Sequence, residues 1–179
     1  METNRVKLCE DIINTCLKMD TSGINQGTSG NLSVRYKNGF LITPSSMPYD
    51  EMKPEDIVEM NMDGEYVGKQ PSSEWRFHRD ILMNRKDINV VLHCHPINAT
   101  AIACHNKDIP AFHYIVGLAG GKNIRCAKYA TFGTQELSDN ALIALENRMA
   151  CLLGHHGMIC LGKTFKDAFF LGCEVESMS

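Results

Sequence analysis

Apolar residues recur at three- and four-residue steps near the start of the chain, at Val6, Cys9, Ile13, Cys16 and Leu17, which predicts an amphipathic helix over residues 4 to 19. The period then changes. A glycine-rich loop from Gly23 to Gly30 leads into the alternation Asn31-Leu32-Ser33-Val34-Arg35, read as a strand, and Asn38-Gly39 supplies a hairpin turn before Phe40-Leu41-Ile42-Thr43. Val58, Met60 and Met62 alternate up to a turn at Asp63-Gly64, and a short strand Glu65-Tyr66-Val67 follows. After Pro71, Ser72 or Ser73 caps a helix with Glu74 in its first turn. Asn89 to His95 reads as a buried strand closed by Pro96, Ile97 to Cys104 as a helix, and Ser138 to Asn147 as a helix opened by its own serine. Ala150 to Leu153 and Met158 to Leu161 are short apolar strands on either side of Gly154-His155-His156-Gly157, and a last helix starts near Thr164. Strands joined by hairpins and mixed with helices predict an α/β fold, with a central mixed, largely antiparallel sheet covered by helices on its faces.

Composition narrows the function classes. With 179 residues, 44% hydrophobic and 22% charged, the chain can bury a core, which sets aside disordered, collagen-like and coiled-coil classes. No linker or repeat divides it, so a single domain over 1–179 is expected. No apolar run approaches the ~20 residues that cross a bilayer, and the Met1-Glu2-Thr3-Asn4-Arg5 start lacks a secretory pattern. A cytoplasmic protein without a membrane partner is expected. A net charge of −3 offers no positive field for nucleic acid. The eight cysteines form no CxxC pair and read as buried thiols.

His93-Cys94-His95 carries the most chemistry. Residues two apart on a strand share a face, so both imidazoles can reach one ion while Cys94 points away. In Gly154-His155-His156-Gly157 the pleat lets one histidine join that face, and the spacing leaves open which. Glu74 could complete a His3Glu set suited to zinc, with manganese or iron as alternatives; its plainer reading is a carboxylate on the helix dipole. His78, four residues on, shares a helix face with Glu74 and reads either as a competing ligand or, more plainly, as a packed, hydrogen-bonded histidine. His105 and His113 have no partner at ligand spacing. Three small polar segments, Gly27-Thr28-Ser29-Gly30-Asn31, Thr43-Pro44-Ser45-Ser46 and Pro71-Ser72-Ser73, offer hydroxyls and backbone N–H groups to an anion, and each alone reads as a turn. None is a nucleotide motif, so a phosphate held there would belong to a small metabolite.

With these residues in view the chain resembles the class II aldolase and adducin head-domain family. The resemblance runs from about Cys9 to the end, through Asn25-Gln26-Gly27-Thr28-Ser29-Gly30-Asn31-Leu32-Ser33-Val34-Arg35, Leu41-Ile42-Thr43-Pro44, Pro71-Ser72-Ser73-Glu74-Trp75-Arg76-Phe77-His78, His93-Cys94-His95, Ile109-Pro110-Ala111-Phe112-His113-Tyr114, Tyr129-Ala130-Thr131-Phe132-Gly133-Thr134 and His155-His156-Gly157. It implies a three-layer αβα sandwich in a homotetramer with active sites at subunit interfaces. It implies a zinc ion held by Glu74, His93, His95 and His156, which leaves His155 a structural role. It further implies a phosphate cradle of Thr28, Asn31, Ser45, Ser46, Ser72 and Ser73, with position 46 commonly glycine in the nearest relatives. The implied reaction is zinc-dependent cleavage of L-fuculose 1-phosphate, or a close ketose 1-phosphate, to dihydroxyacetone phosphate and L-lactaldehyde. In the reverse direction Glu74 would be the base at C3, and Tyr114, reaching in from a neighbouring subunit, would be the proton donor. The same scaffold also hosts pentulose-phosphate 4-epimerases, 5-deoxyribulose-1-phosphate aldolases and non-catalytic adducin-like domains; a full ligand set counts against the last. Family members continue past the last helix with a tail bearing a second tyrosine, whereas this sequence stops at Ser177-Met178-Ser179, so that tail is expected to be missing here.

Overall fold

A computed structural model of the chain describes residues 2–179, with the side chains of residues 2 and 3 left aside. The first helix, α1 (Glu2–Thr21), is longer at both ends than its apolar period suggests, and it buries Cys9, Ile12, Cys16 and Met19. Strands β1 (Asn31–Tyr36) and β2 (Gly39–Ile42) form the expected hairpin with a shifted turn. Tyr36 pairs with Gly39, so the loop residues are Lys37 and Asn38, and Lys37 takes a left-handed φ of 49°. Gly39 lies inside β2 because β3 (Val58–Asn61) passes so close that any Cβ would collide with the Met60 carbonyl.

A two-stranded edge of β3 with β4 (Tyr66–Val67) is followed by α2 (Trp75–Asn84), β5 (Val90–Cys94) and α3 (Ile97–Cys104). Two strands absent from the sequence expectation come next, β6 (Ile109–Pro110) and β7 (Asn123–Ala127). Then come α4 (Gln135–Ala144), β8 (Ala150–Leu153), β9 (Gly157–Gly162) and α5 (Phe165–Ser177). The nine strands make one sheet in the order β4-β3-β2-β1-β5-β9-β8-β7-β6. Every named pairing is antiparallel except β7 with β8, where α4 makes the crossover that parallel neighbours require.

Helices cover both faces. Residues of α1 and α5 pack with Leu32, Val90, Leu92, Cys94, Met158 and Cys160 on one side, and α2 and α4 pack with Phe40, Ile42, Val91, Ile159 and Leu161 on the other. The α/β, largely antiparallel expectation therefore holds. All eight cysteines are free thiols. Among the described residues no helix is long and apolar enough to cross a membrane.

Two helix starts differ from the sequence reading. Helix α4 begins at Gln135, capped by Thr134 whose hydroxyl accepts from Leu137 N at 3.3 Å. Ser138 lies inside it, fully buried, and donates to Asp80 Oδ2 at 2.6 Å. A buried carboxylate needs donors, and that need outranks Ser138's capping preference. In α2, Glu74 stands at the N-cap instead of the first turn, and its side chain makes no capping bond.

Candidate metal centre

Strand β5 ends at the middle of the sheet, between β1 and β9. His93 is fully buried in it, and its Nδ1 lies 2.9 Å from Met158 O across the ladder with β9. The carbonyl only accepts, so Nδ1 is the donor and Nε2 looks out of the strand end. His95, just past the strand, brings its Nε2 to 2.9 Å from that of His93. His156 arrives from the turn between β8 and β9, its ring centroid 4.8 Å from both others. Gly157 lets this turn approach: a Cβ there would lie 2.6 Å from Cys94 O and from the His95 ring. The three imidazoles offer ligand atoms within 4.8 Å of one another.

Glu74 closes the set from the fourth side, with Oε2 at 3.1 Å from His93 Nε2 and Oε1 at 3.3 Å from His156 Nε2. Oε1 is buried and receives no hydrogen bond. Burial by itself would raise this carboxyl's pKa, but its interactions with the neighbouring His93 and His156 rings and donation from Asn31 hold it well below the usual carboxylate range. The imidazoles shift the other way: burial, reinforced by positive charge on neighbouring rings, lowers His95 to about 3 and His156 to about 4. His95 and His156, kept neutral and facing an ionised carboxylate with their lone pairs, are a poor arrangement of acceptors on their own. A divalent cation among them satisfies all four at once, and the nitrogen and oxygen donors suit zinc.

His155 lies outside this cluster. It is exposed, adopts a left-handed φ of 53°, and pairs with Asn106 Nδ2 at 2.7 Å. The structure thus separates the adjacent histidines that spacing alone left equivalent. Cys94 points into the opposite core, fully buried, with its thiol pKa raised by burial.

A pocket of about 420 Å³ opens over Glu74, His95 and His156. Thr28, Asn31, Ser45, Ser46, Ser72 and Ser73 all line it, so the three small polar segments converge. Ser46 has a φ of 57°, a conformation that glycine takes without strain. Asn31 is turned from the pocket's open side: its Nδ2 donates to Glu74 Oε2 at 2.9 Å and its Oδ1 meets His78 Nε2 at 2.5 Å. His78 therefore packs and hydrogen-bonds beneath the cluster and is not a ligand. Burial lowers its pKa to about 3.

Tyr114 lies elsewhere, 85% exposed and lining a shallow cleft with Phe112 and His113. It does not line the pocket. The opposite wall is formed by Tyr129, Ala130 and Phe132, which no periodicity marks. Buried Asn25 also escaped the sequence reading. Its Nδ2 donates to Tyr49 Oη at 3.1 Å and its Oδ1 accepts from His95 N at 3.3 Å, tying the glycine-rich loop to the metal-binding strand.

An open mixed sheet thus carries three histidines and a carboxylate fit to hold a divalent cation, beside a serine-lined pocket, the arrangement of a metal-dependent enzyme. The sequence profile of the class II aldolase and adducin N-terminal domain matches residues 10–179, and the chain belongs to that family. It is 50% identical over its whole length, and over 81% of the relative, to a 5-methylthioribulose-1-phosphate/5-deoxyribulose-1-phosphate aldolase of Rhodospirillum rubrum. It is 48% identical, again over its whole length and over 83% of the relative, to the L-fuculose phosphate aldolase of Escherichia coli K12. A solved L-fuculose 1-phosphate aldolase superposes with a TM-score of 0.93 at 39% identity, covering 96% of this chain and 82% of that one. The chain is a class II, metal-dependent aldehyde-lyase.

Proposed function

We propose that this protein cleaves a ketose 1-phosphate between C3 and C4, giving dihydroxyacetone phosphate and a small aldehyde. One observation carries the reading: Glu74, His95 and His156, joined by the buried His93, converge beside the pocket that also gathers the serines. Bound zinc would supply Lewis-acid stabilisation of the enediolate that C3–C4 cleavage leaves behind. Thr28, Ser45, Ser46, Ser72 and Ser73 hold the phosphate through hydroxyls and backbone N–H groups, with Asn31 at the base of the cradle. In the condensing direction the Glu74 carboxylate, kept ionised by its surroundings and displaced from the metal by substrate, would take the C3 proton.

Tyr114 donates the proton to the aldehyde oxygen from a neighbouring subunit. Its exposure and its distance from its own chain's pocket support that role, and a cyclic homotetramer would supply the neighbour. L-Fuculose 1-phosphate, with L-lactaldehyde as product, is the first substrate reading. The second is 5-methylthioribulose 1-phosphate or 5-deoxyribulose 1-phosphate, favoured by the identity of the Rhodospirillum rubrum relative and by the apolar wall of Tyr129, Ala130 and Phe132.

The test is aldehyde release from the three sugar phosphates by zinc-loaded protein. Turnover of L-fuculose 1-phosphate at least as fast as of the pentulose phosphates supports the first reading. The opposite ranking selects the second, and release from none of them overturns the proposal.

A further inference from the structure

Beneath the metal centre lies a file of four buried polar side chains. Ser33 Oγ is 2.7 Å from His78 Nδ1, His78 Nε2 is 2.5 Å from Asn31 Oδ1, and Asn31 Nδ2 is 2.9 Å from Glu74 Oε2. Ser33 and Asn31 lie on β1, His78 on α2, and Glu74 at the N-cap of α2. His78 and Ser33 are fully buried and Asn31 is 4% exposed, so water does not compete for these bonds.

The polarity of the file is fixed from one end. An ionised carboxylate only accepts, so Asn31 must present its NH2 to Glu74, and its carbonyl then faces His78. That carbonyl needs a donor, so His78 carries its proton on Nε2. Its Nδ1 is left to accept from the Ser33 hydroxyl. Each group has one admissible orientation, and a network satisfied in only one way holds its terminal member rigidly. It also makes the two oxygens of Glu74 unequal. Oε2 is anchored by Asn31, whereas Oε1 accepts from nothing.

Resting on the aldolase reading above, we propose that His78, acting through Asn31, is a positioning residue that fixes the Glu74 carboxylate by Oε2 and leaves Oε1 as the oxygen that takes the C3 proton. His78 touches neither metal nor substrate in this scheme. A base held in one rotamer needs no search when substrate arrives, and partners of this kind behind a metal site are commonly worth 10- to 100-fold in activity.

The base step is isolated by following exchange of the C3 proton of dihydroxyacetone phosphate with D2O by NMR, without any aldehyde. His78→Phe keeps a ring in the core and removes both nitrogens, whereas His78→Gln keeps an N–H near the Nε2 position. We expect His78→Phe to slow exchange by about 10- to 100-fold at unchanged KM for dihydroxyacetone phosphate and unchanged zinc content, and His78→Gln to recover most of that loss. Asn31→Asp, equal in shape but with no donor for Oε2, should show the same loss without disturbing the core around His78. Exchange at the wild-type rate in zinc-loaded His78→Phe or Asn31→Asp overturns the proposal, as does a His78→Gln protein no faster than His78→Phe. Failure of the zinc-loaded wild-type protein to exchange the proton overturns instead the aldolase reading on which the proposal rests.

Discussion

The two faces of β5 are built from alternate residues of one short strand, yet they answer to different physics. On one face Val90, Leu92 and Cys94 meet α1 and α5 in a hydrophobic core. On the other, Val91 sits in the second core while His93, two residues on, enters a cluster of polar groups. The apolar face is complete by itself. The histidine face is not, because the buried Oε1 of Glu74 has no donor and three imidazoles crowd it. Shape complementarity finishes the first face, whereas the second needs a cation, so side chains only one residue apart should respond differently to the same insult.

The widest contrast is chemical. Glu74→Gln preserves shape and volume and removes the carboxylate, so the apolar face should not notice it. We expect the thermal midpoint to stay close to wild type while turnover falls by 10²–10⁴, the usual worth of a positioned base. Steady-state rates with zinc supplied in excess check this, and activity within about tenfold of wild type would remove Glu74 from the role of base.

A smaller effect separates His156 from His155. His156→Ala takes away one of three imidazole donors, and bound zinc measured after gel filtration should fall sharply. His155→Asn makes the control, since Asn tolerates the left-handed backbone there, and it should retain the metal. If the two variants lose zinc alike, the division between the paired histidines is wrong.

Much of this was legible in the chain, and for identifiable reasons. Two-residue periodicity put His93 and His95 on one face and Cys94 on the other because a strand leaves no freedom in the matter. The same pleat narrowed His155 and His156 to one ligand without choosing, since the choice depends on a turn whose backbone conformation is set by Gly157's close approach. The convergence of Thr28, Ser45 and Ser72 in one pocket could not be read from spacing, because those segments meet through the β2–β1–β5 order of the sheet. Glu74 and Ser138 mark where local rules mislead. Each carries a first-turn or capping signal, and each instead serves a buried polar partner whose existence is a tertiary fact. The hairpin turn slipped by one residue because Gly39 answers to its neighbour β3 instead of to the turn.

Acid should set the two faces apart most quietly. In metal-free protein His78 and His95 have their pKa lowered to about 3 and His156 to about 4, chiefly by burial, against 6.5 for a free imidazole. Below pH 6.5 the unfolded chain therefore binds protons that the folded chain refuses, so stability keeps falling until pH passes below the folded values of about 4 and about 3. Glu74, shifted down, adds its own loss below its unfolded value of 4.5. For His78 alone the cost between pH 6.5 and pH 5 is about 2 kcal/mol. Thermal midpoints of chelator-treated protein from pH 8 to pH 5 should fall steeply, and His78→Phe should flatten that slope. Cys94→Ala provides the opposing case. Its thiol, pushed up by burial, is neutral throughout this range, so losing it should lower the midpoint at every pH by the equivalent of about 1 kcal/mol and leave the slope unchanged. A Cys94→Ala slope that flattened like that of His78→Phe would mean that the acid sensitivity arises outside the histidine face, and the contrast between the two faces of β5 would fail.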